Sequence, residues 1–523
     1  MRSWIIVFSV YISIATSGYS STWPQWRGEE RNGKTGEHLK ISNSWPESGL
    51  TLLWDSDEIP SQDYGGFGSI IADNHSAYLS LVWHRDVPTE TRVISDRVLR
   101  KIGARKVNLP KALVEKVEAD RLSLSPRLRG SKLDEWIAQW IEENLDKKQK
   151  LVLADLIASR FKKGKLALPL EVIDRLFEVK NKVFDSQKDL DNWLNNQKNF
   201  TDEIRELVSQ AVPPTKQVAE DVVVALDLKN GKTKWKTSLD SVPTGRKSSS
   251  TPCLANGKIF AVGSERIYCL NLKNGKTIWD QALPVKEIAS SILPYKDSLV
   301  VLAGNLKAYD QNTGEMIWEN TEVKGKSASP IVWKTKDQEL ILCNSSKTVF
   351  AINPSDGSTV WEGPGGGSST PVCNSKNLLV HAKDEHAGLI AYQFKDGKIE
   401  ENWRIPKLTR RTDSSPIIHQ GHAYLIGAGM RLCVEMDSGK IIRKVMAKHD
   451  ISSPIMVDGK ILAYEINGSQ LKMIEASPGN FEEIQKTKIN ALKCTSPALT
   501  GTKLLIRKEK GISCYELGES KNF

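Results

Sequence analysis

The sequence predicts an all-β fold, an eight-bladed β-propeller of four-stranded blades. An N-terminal strand closes the last blade, and an all-α insertion interrupts the first. Three observations predict it. One phrase returns at a nearly constant interval from residue 223 onward. Each return alternates apolar and polar residues about a glycine turn, without the 3.6-residue period of a helical repeat. The last return lacks one strand, and the N-terminal segment supplies a strand of that type.

The phrase is VALDLKNGKTKW, ending at Trp235. Further copies end at Trp279, Trp318, Trp361 and Trp403, and weaker ones at Arg443 and Ile484. The turn glycines Gly231, Gly275, Gly314, Gly357, Gly397, Gly439 and Gly479 are spaced by 44, 39, 43, 40, 42 and 40 residues. An alternating run enters a tight turn such as Asn230-Gly231 or Asp356-Gly357, where positive φ favours glycine, and a second strand leaves carrying the Trp. Between phrases stand a Ser/Thr-Pro step, as at Ser250-Thr251-Pro252, Ser369-Thr370-Pro371 and Ser453-Pro454, and a further strand pattern such as GKIFAVG. Four strands in about 41 residues is the unit of a propeller blade. Residues 51–84 and 219–523 together hold about eight such units.

In chain order, residues 1–20 read as a signal peptide: Arg2, a short apolar stretch from Trp4 to Ala15, then small residues. The apolar stretch is shorter than the roughly twenty residues of a membrane-spanning helix. Residues 21–50 are a lead-in. Residues 51–84 hold the closing strand, with Trp54, and the start of the first blade. The repeat then stops, and residues 85–218 take up helical periodicity at 131–144, 151–161, 168–184 and 201–212. Ser131 with Asp134 resembles a capping box, and Trp136 and Trp140 fall on the apolar face of their helix. The insertion interrupts the first blade between its second strand (77–82) and its third (222–227), so it belongs on the face that bears the blade-to-blade loops. Residues 219–523 are the remaining blades.

The 73 Lys and Arg exceed the 63 Asp and Glu by ten. The excess favours acidic partners but is mixed along the chain, which argues against nucleic acid. Its concentrated part lies in the blade-to-blade loops: Arg246 and Lys247, Lys324 and Lys326, Arg410 and Arg411 with Asp413, and Lys448 with His449. These residues form the candidate binding face, a cationic funnel for a protein segment or an anionic ligand. The Gly-rich loop Gly365-Gly366-Gly367 lies among them. The His381/His386 and His419/His422 pairs lack the convergent ligands of a zinc site. No nucleophile elbow or P-loop appears. The seven cysteines include no CxxC or adjacent pair; Cys253 with Cys269, or Cys494 with Cys514, are candidate disulfides, and burial as small hydrophobes is the other reading.

The A-x-D-x-x-x-G-x-x-x-W pattern, met at Ala225, Asp227, Gly231 and Trp235 and at Ala308, Asp310, Gly314 and Trp318, resembles the tryptophan-docking motif of the PQQ-like β-propeller repeat family. The phrase WPQWRGEERNG (23–33) is similar to the N-terminal phrase of secreted members. The resemblance implies that Trp235, Trp279, Trp318, Trp361 and Trp403 pack between neighbouring blades. It leads to two branches. Quinoprotein dehydrogenases hold pyrroloquinoline quinone and calcium in the funnel, often beside a vicinal disulfide that this sequence lacks. BamB-like propellers scaffold other proteins and carry a lipid-anchor cysteine, whereas no cysteine lies near the cleavage region here. The expectation is a secreted or periplasmic binding or scaffolding module without cofactor or membrane span. The alternative is an alcohol or sugar dehydrogenase with an atypical cofactor site.

Overall fold

The computed structural model describes residues 22–36, 39–106, 108–244, 249–283, 288–408, 413–427, 429–447 and 451–518, the side chains of 147, 148, 151 and 152 aside. The segment read as a signal peptide lies outside these residues. The chain divides into two units, Met1–Arg85 with Ala219–Phe523, and Asp86–Val218.

The first unit is built of eight antiparallel sheets, taken in turn along the chain. The first runs Ile71–Ala72, Ser76–Pro88, Thr215–Asp227 and Thr233–Ser241, so the second unit is carried between its second and third strands. Seven of the eight sheets have four strands; the third has three, because one strand, Ser298–Asp310, with Gly304 at φ 77°, stands where two were expected. The eighth contains Ala498–Thr500, Lys503–Arg507 and Ile512–Glu516, and its fourth strand is Thr51–Asp55. Thr51 faces Glu516 and Asp55 faces Ser513, which joins the strand before the first sheet to the last strands of the chain in one sheet.

The repeat phrase owes its form to one turn. The Asp227 carboxylate accepts from the Lys229 amide at 2.7 Å, and the Asp227 carbonyl accepts from the Gly231 amide at 2.8 Å. Asn271, Asp310 and Asn353 repeat the side-chain contact. The turn is therefore longer than a two-residue hairpin, although its glycine has positive φ as expected, +72° at Gly231. The Trp then stands opposite a small residue: Ala225 faces Trp235, Ala308 faces Trp318 and Ala391 faces Trp403, each beside a register shift.

Each of these indoles lies on the turn of the following sheet. Trp235 donates to the Leu272 carbonyl at 3.1 Å, Trp279 to Gln311 at 3.1 Å, Trp318 to Pro354 at 3.0 Å and Trp403 to Met436 at 2.8 Å. Trp54, in the strand that completes the eighth sheet, donates to Leu228 of the first at 2.9 Å. Trp361 departs from the pattern. Gly397 lies in a hairpin where Lys395 faces Lys398, no atom stands near its Cβ position, and Trp361 packs edge-on against Tyr392 at 4.9 Å instead.

The second unit holds seven helices among the described residues: α1 Asp96–Lys101, α2 Lys111–Ser123, α3 Ser131–Asn144, α4 Lys147–Lys163, α5 Leu170–Glu178, α6 Gln187–Asn195 and α7 Asp202–Ala211. Ser95, Ser186 and Thr201 cap α1, α6 and α7 with their hydroxyls. Trp136 and Trp140 of α3 meet Phe161 of α4 edge-on at 5.0 and 4.9 Å, so both serve a core. Two expectations fail here. Ser131 is not a cap: Gly130 precedes the helix without a side-chain bond. The helix expected over 168–184 stops at Glu178, and Val183–Phe184 pairs as a strand with Arg92–Val93.

A Cβ added at Gly357 would stand 2.5 Å from Trp318, whereas Gly397, at similar φ, faces open space. Gly397→Ala is expected to cost about 1–2 kcal/mol from left-handed strain alone, and Gly357→Ala about 3 kcal/mol with the displaced indole added. Urea unfolding of the two variants checks the difference.

Candidate functional site

The eight sheets are linked at the residues that precede their first strands. The Ser496 amide donates to Ser69 Oγ at 2.9 Å, and the Ser69 amide to Thr251 Oγ1 at 3.0 Å. The Thr251 amide donates to Ser291 Oγ at 3.1 Å, Ser291 to Ser329 at 3.1 Å and Ser329 to Thr370 at 2.9 Å. Thr370 donates to Ser415 and Ser415 to Ser453, both at 3.0 Å. One hydroxyl-bearing residue from each sheet takes part. Six of the eight residues stand in Ser/Thr-Pro steps, Ser69 and Ser291 preceding Ile instead, and seven of the hydroxyls accept an amide of the preceding sheet. Small β-carbons allow the close approach, and a following proline has no amide that would need a partner of its own.

The lead-in passes across the same region. Trp23 and Ala72 exchange backbone hydrogen bonds, Leu254 donates to Pro24, and Met456 donates to Gly33. Its two arginines are fully buried. Arg31 donates to Gln25 Oε1 at 2.6 Å, to the carbonyls of Ser291 and Pro330 at 3.2 and 3.0 Å, and to that of Ile292. Arg27 donates to the carbonyls of Pro416 at 2.7 Å and Asn32 at 3.2 Å. From the eighth sheet, buried Arg507 reaches the Gly68 carbonyl at 2.5 Å. Among the described residues none of the three forms an ion pair. Burial pushes all three down to about 9, which leaves them cationic at neutral pH.

Above this layer lies a cavity of about 540 Å³. Six of the linked residues line it: Ser69, Thr251, Ser291, Ser329, Ser453 and Ser496. Trp26 and Phe67 add ring faces, and the sheet-to-sheet connections contribute Lys326, Asp413, Ile451 and Cys494.

Of the candidate binding face, Lys326 and Asp413 line this cavity and Lys324 is exposed beside it in sequence, at the end of Met316–Gly325. Arg246, Lys247, Arg410, Arg411, Lys448 and His449 lie outside the described residues. The Gly-rich loop is structural: the Gly366 amide donates to Asn344 Oδ1 at 2.7 Å, so it is not held open for a phosphate. His381 is buried, with Nε2 at 2.8 Å from the Leu408 carbonyl, and His386 is exposed. His419 and His422 face each other across a hairpin. All seven cysteines are reduced. Cys253 and Cys269 stand on either side of Phe260, two strands apart, beyond disulfide reach.

Trp26, Arg27, Arg31 and the linked hydroxyls escaped the sequence-based search. Their signal was present: the Ser/Thr-Pro steps share the phase of the repeat, and two arginines four apart stand in a segment with four aromatic or amide residues, Trp23, Gln25, Trp26 and Asn32.

Arg31→Met removes the donors of three buried carbonyls, and a loss of about 2–4 kcal/mol is expected in denaturant unfolding, with Arg31→Lys unable to restore it. Burial pushes the thiols of Cys253, Cys269, Cys343, Cys373 and Cys514 up to about 12 and that of Cys433 up to about 11. At pH 8 the half-buried Cys494 of the cavity is expected to react with a thiol reagent before the five buried thiols, which follow only in guanidinium. Peptide mapping of the labelled protein checks the order.

The family model for the outer membrane protein assembly factor BamB matches residues 200–303 and 302–522, well over half of the chain. No curated protein matches it. Among solved structures, BamB from Moraxella catarrhalis is 13% identical, covers 58% of this chain and 90% of its own, and has a TM-score of 0.45. A europium-containing methanol dehydrogenase is 13% identical over 56% of this chain and 81% of its own, with a TM-score of 0.43. Saccharomyces cerevisiae Sqt1 is 11% identical over 58% and 93%, at 0.44. With the docking phrase repeated through the matched region, this chain belongs to the BamB family of PQQ-like β-propeller repeat proteins.

Proposed function

We propose that this chain is a non-catalytic binding or scaffolding protein: an eight-bladed propeller whose partner docks where the sheet-to-sheet connections gather. In this reading the eight sheets are the blades of one closed ring, residues 1–20 direct export to the periplasm or beyond, and no cofactor takes part. The partner is a protein or an anionic ligand, met by Lys324, Lys326 and the neighbouring basic loop residues.

The observation that carries the reading is the lead-in. Where the first strands of the sheets converge, the chain places its own Arg27 and Arg31, hydrogen-bonded to backbone carbonyls beside three sheets. The hydroxyls above them accept backbone amides, which makes them links and donors rather than activated nucleophiles. Lys326 and Asp413 are the charged residues of the described lining. Hydroxyls, two aromatic rings and a charged rim are the parts of a recognition surface.

The alternative, a quinone-dependent dehydrogenase, is tested directly. Purified protein mixed with pyrroloquinoline quinone and calcium is expected not to give a quinone absorption shift together with dye reduction by alcohols or aldoses. Both signals together would overturn the non-catalytic reading.

A further inference from the structure

We infer that the central cavity is a carboxylate-binding site, which deepens the binding reading above and rests on it. The lining hydroxyls each have one lone pair engaged by an amide and their protons available. Thr251, Ser291, Ser329 and Ser453 each accept an amide of the neighbouring sheet, and among the described residues no carbonyl or carboxylate takes the proton of any of the four. A cavity walled by such groups offers a set of hydrogen-bond donors to an acceptor that enters.

The charge behind the wall has the same sense. Arg31 donates to the carbonyls of Ser291 and Pro330, immediately behind two lining residues, and Arg507 donates to that of Gly68, next to a third. Arg27 lies with its guanidinium carbon 5.8 Å from the Trp26 ring, and Trp26 lines the cavity. Each arginine meets neutral acceptors only, so three positive charges stand unneutralised in a region of low dielectric. Lys326 lies at the rim, and Asp413 opposes the arginines there from an exposed position. Donors in front of uncompensated cations select an acceptor-only anion. The volume, about 540 Å³, exceeds what one small ion needs, and Trp26 with Phe67 offers ring faces to a carbon skeleton. The ligand class is therefore an organic carboxylate, supplied by the acidic side chains of a partner segment or by a free acid.

The full chain would be titrated calorimetrically at pH 7 and low salt with a hexaglutamate peptide, with citrate, and with hexalysine. Saturable binding of hexaglutamate or citrate and none of hexalysine is expected. Lys326→Glu should weaken it at least tenfold, and Ser327→Trp, which fills the cavity from a half-buried position, should abolish it. Thermal unfolding of both variants verifies that they fold. The bound acid should also slow labelling of Cys494. Tighter binding of the peptide assigns the carboxylates to a partner segment, and equal or tighter binding of citrate to a free acid. No binding of either acid overturns the inference, as does binding undiminished in Ser327→Trp. Dye reduction with the quinone would defeat the non-catalytic reading whatever this titration gives, so the two failures are separable.

Discussion

The first unit depends on the hydroxyl-to-amide links at the inner ends of its sheets. Each sheet satisfies its backbone internally by ladders, but the connections that precede the first strands have no ladder and are buried. A buried amide without a partner costs about 1–3 kcal/mol. The hydroxyl of the next sheet supplies that partner at Thr251, Ser291, Ser329, Thr370, Ser415 and Ser453. Each link nets only about 1 kcal/mol, yet it binds one sheet to the next and fixes the spacing between them.

Amides are half of the problem, and the lead-in addresses the other half. The same connections carry buried carbonyls, including those of Ile292, Pro330 and Pro416. Hydroxyls from neighbouring sheets serve the donors; guanidiniums from residues 23–33 serve the acceptors. Arginine suits this work because its planar fork reaches several carbonyls at once and stays charged. The cost is burial of positive charge without a carboxylate, and that cost sets the electrostatic character of the space above.

Much of this was legible in the sequence. The interval of the glycines, the Trp that ends each phrase, and the N-terminal strand that joins the last sheet follow from local patterning, and local patterning is what a repeat displays. The helix over 131–144 was legible for the same reason, from its one-sided apolar face. What escaped depends on distant partners. Nothing near Arg31 in sequence announces that its acceptors lie some 260 to 300 residues away. Trp361 looks like its fellows, and only the two-residue hairpin at Gly397 removes the turn on which it would rest. The Ser131 capping box fails because Gly130 takes the cap position at φ 60°, a backbone state that composition does not reveal.

The weaker copies of the phrase show how the lead-in and the repeat complement each other. At the sixth sheet the Trp position is held by Arg443, which reaches Glu482 of the seventh as an ion pair. Both side chains are more than a third exposed, so the pair contributes at most about 1 kcal/mol, less than a docked indole. At the seventh sheet the position is held by Ile484, itself partly exposed. There the lead-in returns: Gln485 exchanges hydrogen bonds with the backbone of Trp45, and Trp45 is buried in the core that the seventh and eighth sheets share with the first. An indole from the N-terminal segment thus packs beside the strand that carries none of its own. The repeat has lost its docking residue where the lead-in covers it, so the segment 22–50 is a working part of the sheet assembly rather than a tether.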